Sequence, residues 1–236
     1  IEDFLICSSK HSEHHWPISE DHITYYPYCR SIGHIFSAMV AIQKEIRNIK
    51  PDVVYCHSTW AGLFTRFPLF FLNKSCRIIY NAHGWSFLRD TAAWKKRIYA
   101  TIEQTLLLKT DVVINVSKYE YDAAVKYGLS SQKQYIIYSG ITEGKVDQRR
   151  VNKFSKEQLN LLFVGRFDRP KGLDYLLENF PKCKRKDIHL YVIGDNVVDA
   201  QTPVKKKNTE QITFLGWIPH EELRSYYQAC DAVILP

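Results

Sequence analysis

Arg166 and Lys171 stand five residues apart in the stretch Gly-Arg-Phe-Asp-Arg-Pro-Lys-Gly. An apolar run ends at Gly165 before them, and a helical repeat of Leu173, Leu176, Leu177 and Phe180 follows. In an open α/β sheet, ligands bind beyond the carboxyl ends of the strands. Gly165 allows a tight turn there, and Pro170 fixes the chain ahead of Gly172 and the next helix. The start of that helix carries free N–H groups and the positive end of the helix dipole. Two cations and a helix start together could hold a diphosphate. The competing reading pairs both cations internally with Asp168 or Asp174.

Other residues could do chemistry and carry weaker signals. His83 closes the segment Tyr-Asn-Ala-His-Gly at the end of an apolar run. Ser58 and Thr59 follow the run Val53–His57 and could line an acceptor, whereas His57 is expected to satisfy a local backbone group. His11, His14 and His15 are clustered, but no further ligands at zinc spacing accompany them. There is no GxxxxGK[ST] phosphate loop. No two glycines lie two residues apart, so a dinucleotide fingerprint cannot occur. DxD is also absent, so no metal is expected to clamp a diphosphate.

The elements that position these residues are legible as a rhythm. Short apolar runs recur at Phe4–Ser8, Ile23–Tyr26, Val53–His57, Arg77–His83, Val112–Val116, Gln134–Tyr138, Leu161–Gly165, Leu190–Gly194, Ile212–Gly216 and Ala232–Pro236. They are continuous rather than alternating, which predicts parallel strands buried on both faces. Helical stripes lie between them. One joins Ile35, Met39, Ile42, Ile46 and Ile49, and another joins Trp94, Ile98, Ile102 and Leu106, each predicted to face a core. Strand and helix alternate, which predicts α/β architecture with parallel sheets flanked by helices. The polar stretch 142–157 breaks the rhythm and predicts a linker between domains 1–141 and 158–236. The ends fall beside predicted strands, so the chain is expected to be a central portion of something longer.

Composition narrows the class. Hydrophobic residues are 45% of the 236, enough for a core, and no apolar run reaches the length of a membrane span. The six cysteines form no CxxC pair and sit in or beside apolar runs. They are expected to be reduced thiols, in a cytoplasmic protein. The net charge of +7 is clustered at 95–97, 149–150, 182–186 and 205–207. Such clusters attract nucleic acid, anionic lipid or phosphorylated substrates; the cluster at 205–207 is expected to be a solvated face. The aromatic-basic segment Arg66–Lys74 could touch a membrane surface.

The segment LLFVGRFDRPKGLDYLLENF resembles the signature of retaining glycosyltransferases of family 4, which have the two-domain GT-B fold. IKPDVVYCHSTWAG, RIIYNAHGWSF, TDVVINVSKYEYDAAVKYGL, YIIYSGI, LYVIGDN and ITFLGWIPHEELRSYYQACDAVILP resemble further parts of that family, in the same order. The resemblance implies two Rossmann-like domains facing across a cleft. It implies that Arg166 and Lys171 bind the diphosphate of a nucleotide-sugar donor beside Gly165. Gly194 would lie nearby, and Gly216, Trp217 and Ile218 would form the loop against which the base packs. His83 would contact the donor sugar. No cofactor is implied. The acceptor would be a glycan or a lipid-linked intermediate of a cell-surface polysaccharide, met at the inner face of the plasma membrane, with no role for nucleic acid. Two features of the family are absent from this sequence: a glycine-rich loop after a first strand, and two glutamates eight residues apart beyond Pro236. On that ground the chain by itself is expected to bind donor poorly. Two rivals remain: a nucleotide-sugar epimerase of the same GT-B architecture, and a non-catalytic basic α/β binding module.

Overall fold

The computed structural model describes residues 2–9, 16–27, 31–140, 154–155, 157–196 and 204–236. The chain divides into two compact units, Ile1–Ile141 and Thr142–Pro236. Most of the predicted linker, and the cluster of His11, His14 and His15, lie outside the described residues.

In the first unit, β1 (Leu5–Ser8) pairs in parallel with β2 (Ile23–Tyr26). A second sheet of β3 (Val53–His57), β4 (Arg77–Asn81), β5 (Val112–Asn115) and β6 (Gln134–Ile136) is ordered 3-4-5-6 and parallel throughout. Helix α1 (Ile32–Ile49) has the predicted face. Met39, Ile42 and Ile46 are buried with Phe64 of α2 (Thr59–Arg66), and Ile35 packs against them. A second core joins Ile78, Tyr80 and Val113 to Trp85, Phe87, Leu107 of α3 (Ala93–Leu107) and Ala124 of α4 (Lys118–Lys126). The indole of Trp85 donates to Asn115 Oδ1 at 3.1 Å, which satisfies the one polar atom of a fully buried ring.

The second unit holds one parallel sheet in the order β10-β7-β8-β9. Its strands are β7 (Leu159–Val164), β8 (Ile188–Ile193), β9 (Ile212–Gly216) and β10 (Ala232–Val233). Alternate residues of a strand point to opposite faces, and here each face has its own core. Phe163, Leu190 and Val192 pack with Leu173 and Leu176 of α5 (Leu173–Asn179). Leu162, Tyr191 and Ile193 pack with Tyr226 of α6 (His220–Ala229).

Three expectations are corrected. Burial on both faces holds through the whole of β8 only; β3 is an edge strand, and its Val53 and Tyr55 are exposed. Several strands end earlier than predicted: β4 stops at Asn81, and β10 is two residues long. The face of α3 is turned away from the expected stripe, of which only Leu106 is buried. Its buried residues are Ala100, Glu103, Leu106 and Leu107, while Trp94, Ile98 and Ile102 are exposed. The cause is a buried ion pair: Glu103 meets Arg66 at 2.9 Å and turns that side of the helix inward.

Candidate functional site

The carboxyl ends of β7, β8 and β9 bring three glycines side by side. The amide of Gly165 donates to Ile193 O at 3.0 Å, and the amide of Gly194 donates to Gly216 O at 2.8 Å. A Cβ on Gly194 would stand 1.9 Å from Gly165 O, and the residue has φ +133°, so no other side chain fits there. Gly216 also has positive φ, at +79°. Trp217 beyond it is exposed, while Ile218 turns its side chain into the Tyr191–Tyr226 core. The result is a floor of main chain at the strand tips.

Arg166 and Lys171 rise from this floor. Lys171 lays its stem beside Gly165, where a Cβ would meet Lys171 Cδ at 3.8 Å. Its ammonium has no ion-pair partner among the described residues. Arg166 Nη2 meets Asp168 Oδ2 at 2.9 Å, so the competing reading of this cation is realised in part. The pair does not saturate it. A guanidinium has five N–H donors, and the Arg166 side chain is 70% exposed. Asp174 takes no part in an ion pair among the described residues. Asp168 Oδ1 is buried without a hydrogen-bond partner. The turn closes by Asp168 N donating to Arg166 O and Lys171 N to Asp168 O, both at 3.0 Å.

The helix that follows departs from expectation. Gly172 lies in the left-handed region at φ +65°, and a Cβ there would meet Pro236 Cβ at 3.0 Å. Helix α5 has only seven residues, so side chains rather than a helix dipole carry the charge at this turn. The lysines at 205–207 are exposed, as expected of a solvated face, and one of them is also paired. Lys206 meets Asp195 at 2.7 Å and lies over the Phe167 ring, 5.8 Å from its centroid. That partner holds the Asp195 carboxyl below its ordinary pKa.

In the first unit, His83 lies in a turn two residues past the end of β4. Asn81 Oδ1 accepts from the His83 amide at 3.0 Å, which supports the strained φ of +49°. The ring of His83 does not stand alone. Its Nε2 is 2.9 Å from Nδ1 of His57, and the two rings stack at 5.2 Å. The expectation that His57 satisfies the backbone is thereby corrected: its partner is another imidazole, across two strand ends. Burial, and secondarily the like charge of His83, depress the pKa of His57. One ring nitrogen of His83, Nδ1, has no partner among the described residues. Ser58 is exposed at φ +85° and starts α2, its amide donating to Asn81 O at 2.9 Å. Thr59 directs its hydroxyl at the Tyr80 phenol, inside the unit.

No group of three or more His, Cys, Asp or Glu able to hold a metal occurs among the described residues. Cys7, Cys56, Cys76, Cys183 and Cys230 are free thiols. No helix among the described residues is long and apolar enough to cross a membrane.

Comparison with known proteins identifies the family. Residues 5–144 match the model of Glycosyltransferase Family 4, and residues 145–236 match Glycosyl transferases group 1. The chain belongs to this glycosyltransferase family. It is 35% identical over 216 residues to an uncharacterized 41.2 kDa protein in the cps region of Klebsiella pneumoniae, covering 88% of this chain and 60% of that protein. It is 25% identical over 193 residues to the O-antigen biosynthesis glycosyltransferase WbnH of Escherichia coli, covering 81% of this chain and 53% of WbnH. The chain therefore spans little more than half the length of these relatives. The crystal structure of Anabaena HepE in complex with UDP-glucose superposes with a TM-score of 0.68 at 16% identity, over 95% of this chain and 62% of that one. That likeness places the fold among the GT-B glycosyltransferases.

Proposed function

We propose that the protein transfers a sugar, with retention of configuration, from a nucleoside-diphosphate sugar to a hydroxyl of a lipid-linked or polysaccharide acceptor in cell-surface glycan synthesis. The observation that carries this reading is the main-chain floor of Gly165, Gly194 and Gly216 with the open cations Arg166 and Lys171 beside it. A floor without side chains lets a diphosphate approach the backbone closely. The two cations neutralise charge that grows as the sugar–phosphate bond breaks, so their contribution is greatest in the transition state. The loop Gly216–Ile218 takes the base through its backbone, and His83 holds the sugar through its free ring nitrogen. Ser58 is left as the acceptor-side candidate. No metal or cofactor enters the reaction. The cps-region and O-antigen relatives support a surface glycan as product; a site on the cytoplasmic side of a membrane is part of the proposal alone.

The test is thermal stabilisation of the chain by a panel of nucleoside diphosphates, repeated on Arg166→Ala. One diphosphate should raise the melting temperature of the wild type. Loss of hydrogen bonds to a charged group should weaken that diphosphate by about 10- to 100-fold in the variant. Equal stabilisation of both proteins sinks the assignment.

A further inference from the structure

Four residues at the tips of β3 and β4 close a circuit that includes His83. His57 and Asn81 are register partners in the parallel pair. Asn81 Oδ1 accepts from the His83 amide at 3.0 Å, and Asn81 Nδ2 donates to the Tyr55 hydroxyl at 3.4 Å. The Tyr55 ring lies against the His57 ring, with centroids 4.0 Å apart. Nδ1 of His57 then reaches Nε2 of His83 at 2.9 Å. His83 is thus held twice, through its main chain by Asn81 and through its ring by His57. Among the described residues the histidine in ion pairs is His22, so each ring of this pair answers to the other imidazole and not to a carboxylate.

That choice of partner sets a polarity. A carboxylate only accepts, whereas a neutral imidazole has one donor and one acceptor nitrogen. The bond made at one ring nitrogen fixes what the other offers. Neutral histidine carries its proton preferentially on Nε2. In that form His57 presents Nδ1 as an acceptor and His83 presents Nε2–H as a donor, so a single hydrogen bond suits both rings. The opposite polarity forces both into the less favoured tautomer. We propose that His57 is a positioning residue: it accepts from His83 Nε2–H and so presents His83 to the donor sugar with Nδ1 as an acceptor, ready for a sugar hydroxyl. This inference rests on the reading above that His83 holds the sugar, and it adds the direction of that contact.

The test has a spectroscopic and a kinetic arm. Long-range ¹H–¹⁵N spectra of the labelled chain at pH 8 should show His83 with its proton on Nε2 and a bare Nδ1. His57→Phe, which keeps a ring but no acceptor, should leave His83 averaging between tautomers. In the full-length enzyme, given a panel of UDP- and GDP-hexoses, His57→Phe should lower kcat for the preferred donor by on the order of tenfold. His57→Asn, whose side-chain oxygen can stand in for Nδ1, should recover most of that loss. Stabilisation by the bare diphosphate should match wild type in both variants. A wild-type His83 protonated on Nδ1 overturns the proposal, whatever the variants do. So does a His57→Phe enzyme with undiminished kcat, or a kcat loss that leaves the His83 tautomer unchanged. These outcomes leave the role of His83 standing if His83→Ala still abolishes turnover. Undiminished turnover in His83→Ala removes that role, and this inference with it.

Discussion

At the scale of single residues, the pairing of His57 with His83 has a measurable consequence. One imidazole must donate and the other accept, so the protonation of either ring fixes the tautomer of its partner. Partial burial makes His57 harder to protonate in the folded chain than in the unfolded chain, which takes the proton near the ordinary pKa of 6.5. The unfolded state then binds more protons below that pH, so stability should fall as pH drops from about 7 towards 5. His189, also depressed by burial, acts with the same sign in the second unit. Urea melts at several pH values should show His57→Gln with a shallower decline than wild type. An unchanged slope would mean that the pair carries no linkage. The sequence offered His83 through its place after an apolar run. It could not offer the pair, because His57 is 26 residues away and meets it only when two strands lie in parallel. The exposed Arg166 and its partner Asp168 are closer in sequence, and both the ligand reading and the internal pairing could be framed from residue types alone.

At the scale of elements, Arg66 ties α2 to α3 and β4. Its guanidinium donates to Gly62 O and Glu103 Oε2, each at 2.9 Å, and stacks 3.6 Å over Tyr80. The Tyr80 phenol completes the circle by donating to Glu103 Oε1 at 3.0 Å, and burial followed by the Glu103 charge raises its pKa, keeping it a donor. Gly62 is small because a Cβ there would lie 2.4 Å from the Tyr80 ring. Removing one partner of a buried ion pair strands the other charge, so Glu103→Ala should lose about 3–5 kcal/mol of stability. The double change Arg66→Met, Glu103→Leu should recover most of it, as read from urea midpoints. This network also explains why the fold was legible and the face of α3 was not. The alternation of strand and helix is written in local periodicity. The orientation of α3 is set by an acid at position 103 whose partner is 37 residues earlier, and a count of apolar residues assigns that acid to solvent.

At the scale of the whole molecule, no sheet and no core is shared between the units among the described residues, so the proposed chemistry divides between them. Nucleotide contacts belong to the second unit and the histidine pair to the first. Accordingly, His83→Ala should leave affinity for a bare nucleoside diphosphate within about twofold while lowering turnover of the full-length enzyme by on the order of 10²–10³. Calorimetry with the diphosphate, set beside steady-state rates, separates the two effects. A large loss of diphosphate affinity in that variant would remove His83 from the sugar and place it on the nucleotide. The chain divides between residues 141 and 142, and the sequence reading rests its own division on the polar stretch 142–157 and the renewed strand rhythm after it.

The close approach of Gly194 to the carbonyl of Gly165, where an added Cβ would stand at 1.9 Å, bears on the donor preference proposed above. Ground built of peptide groups has no side chain to exchange, and its central position tolerates no methyl. With the donor site as proposed, variation in sugar preference accumulates around the rim, at exposed residues such as Trp217, while the glycine floor stays fixed.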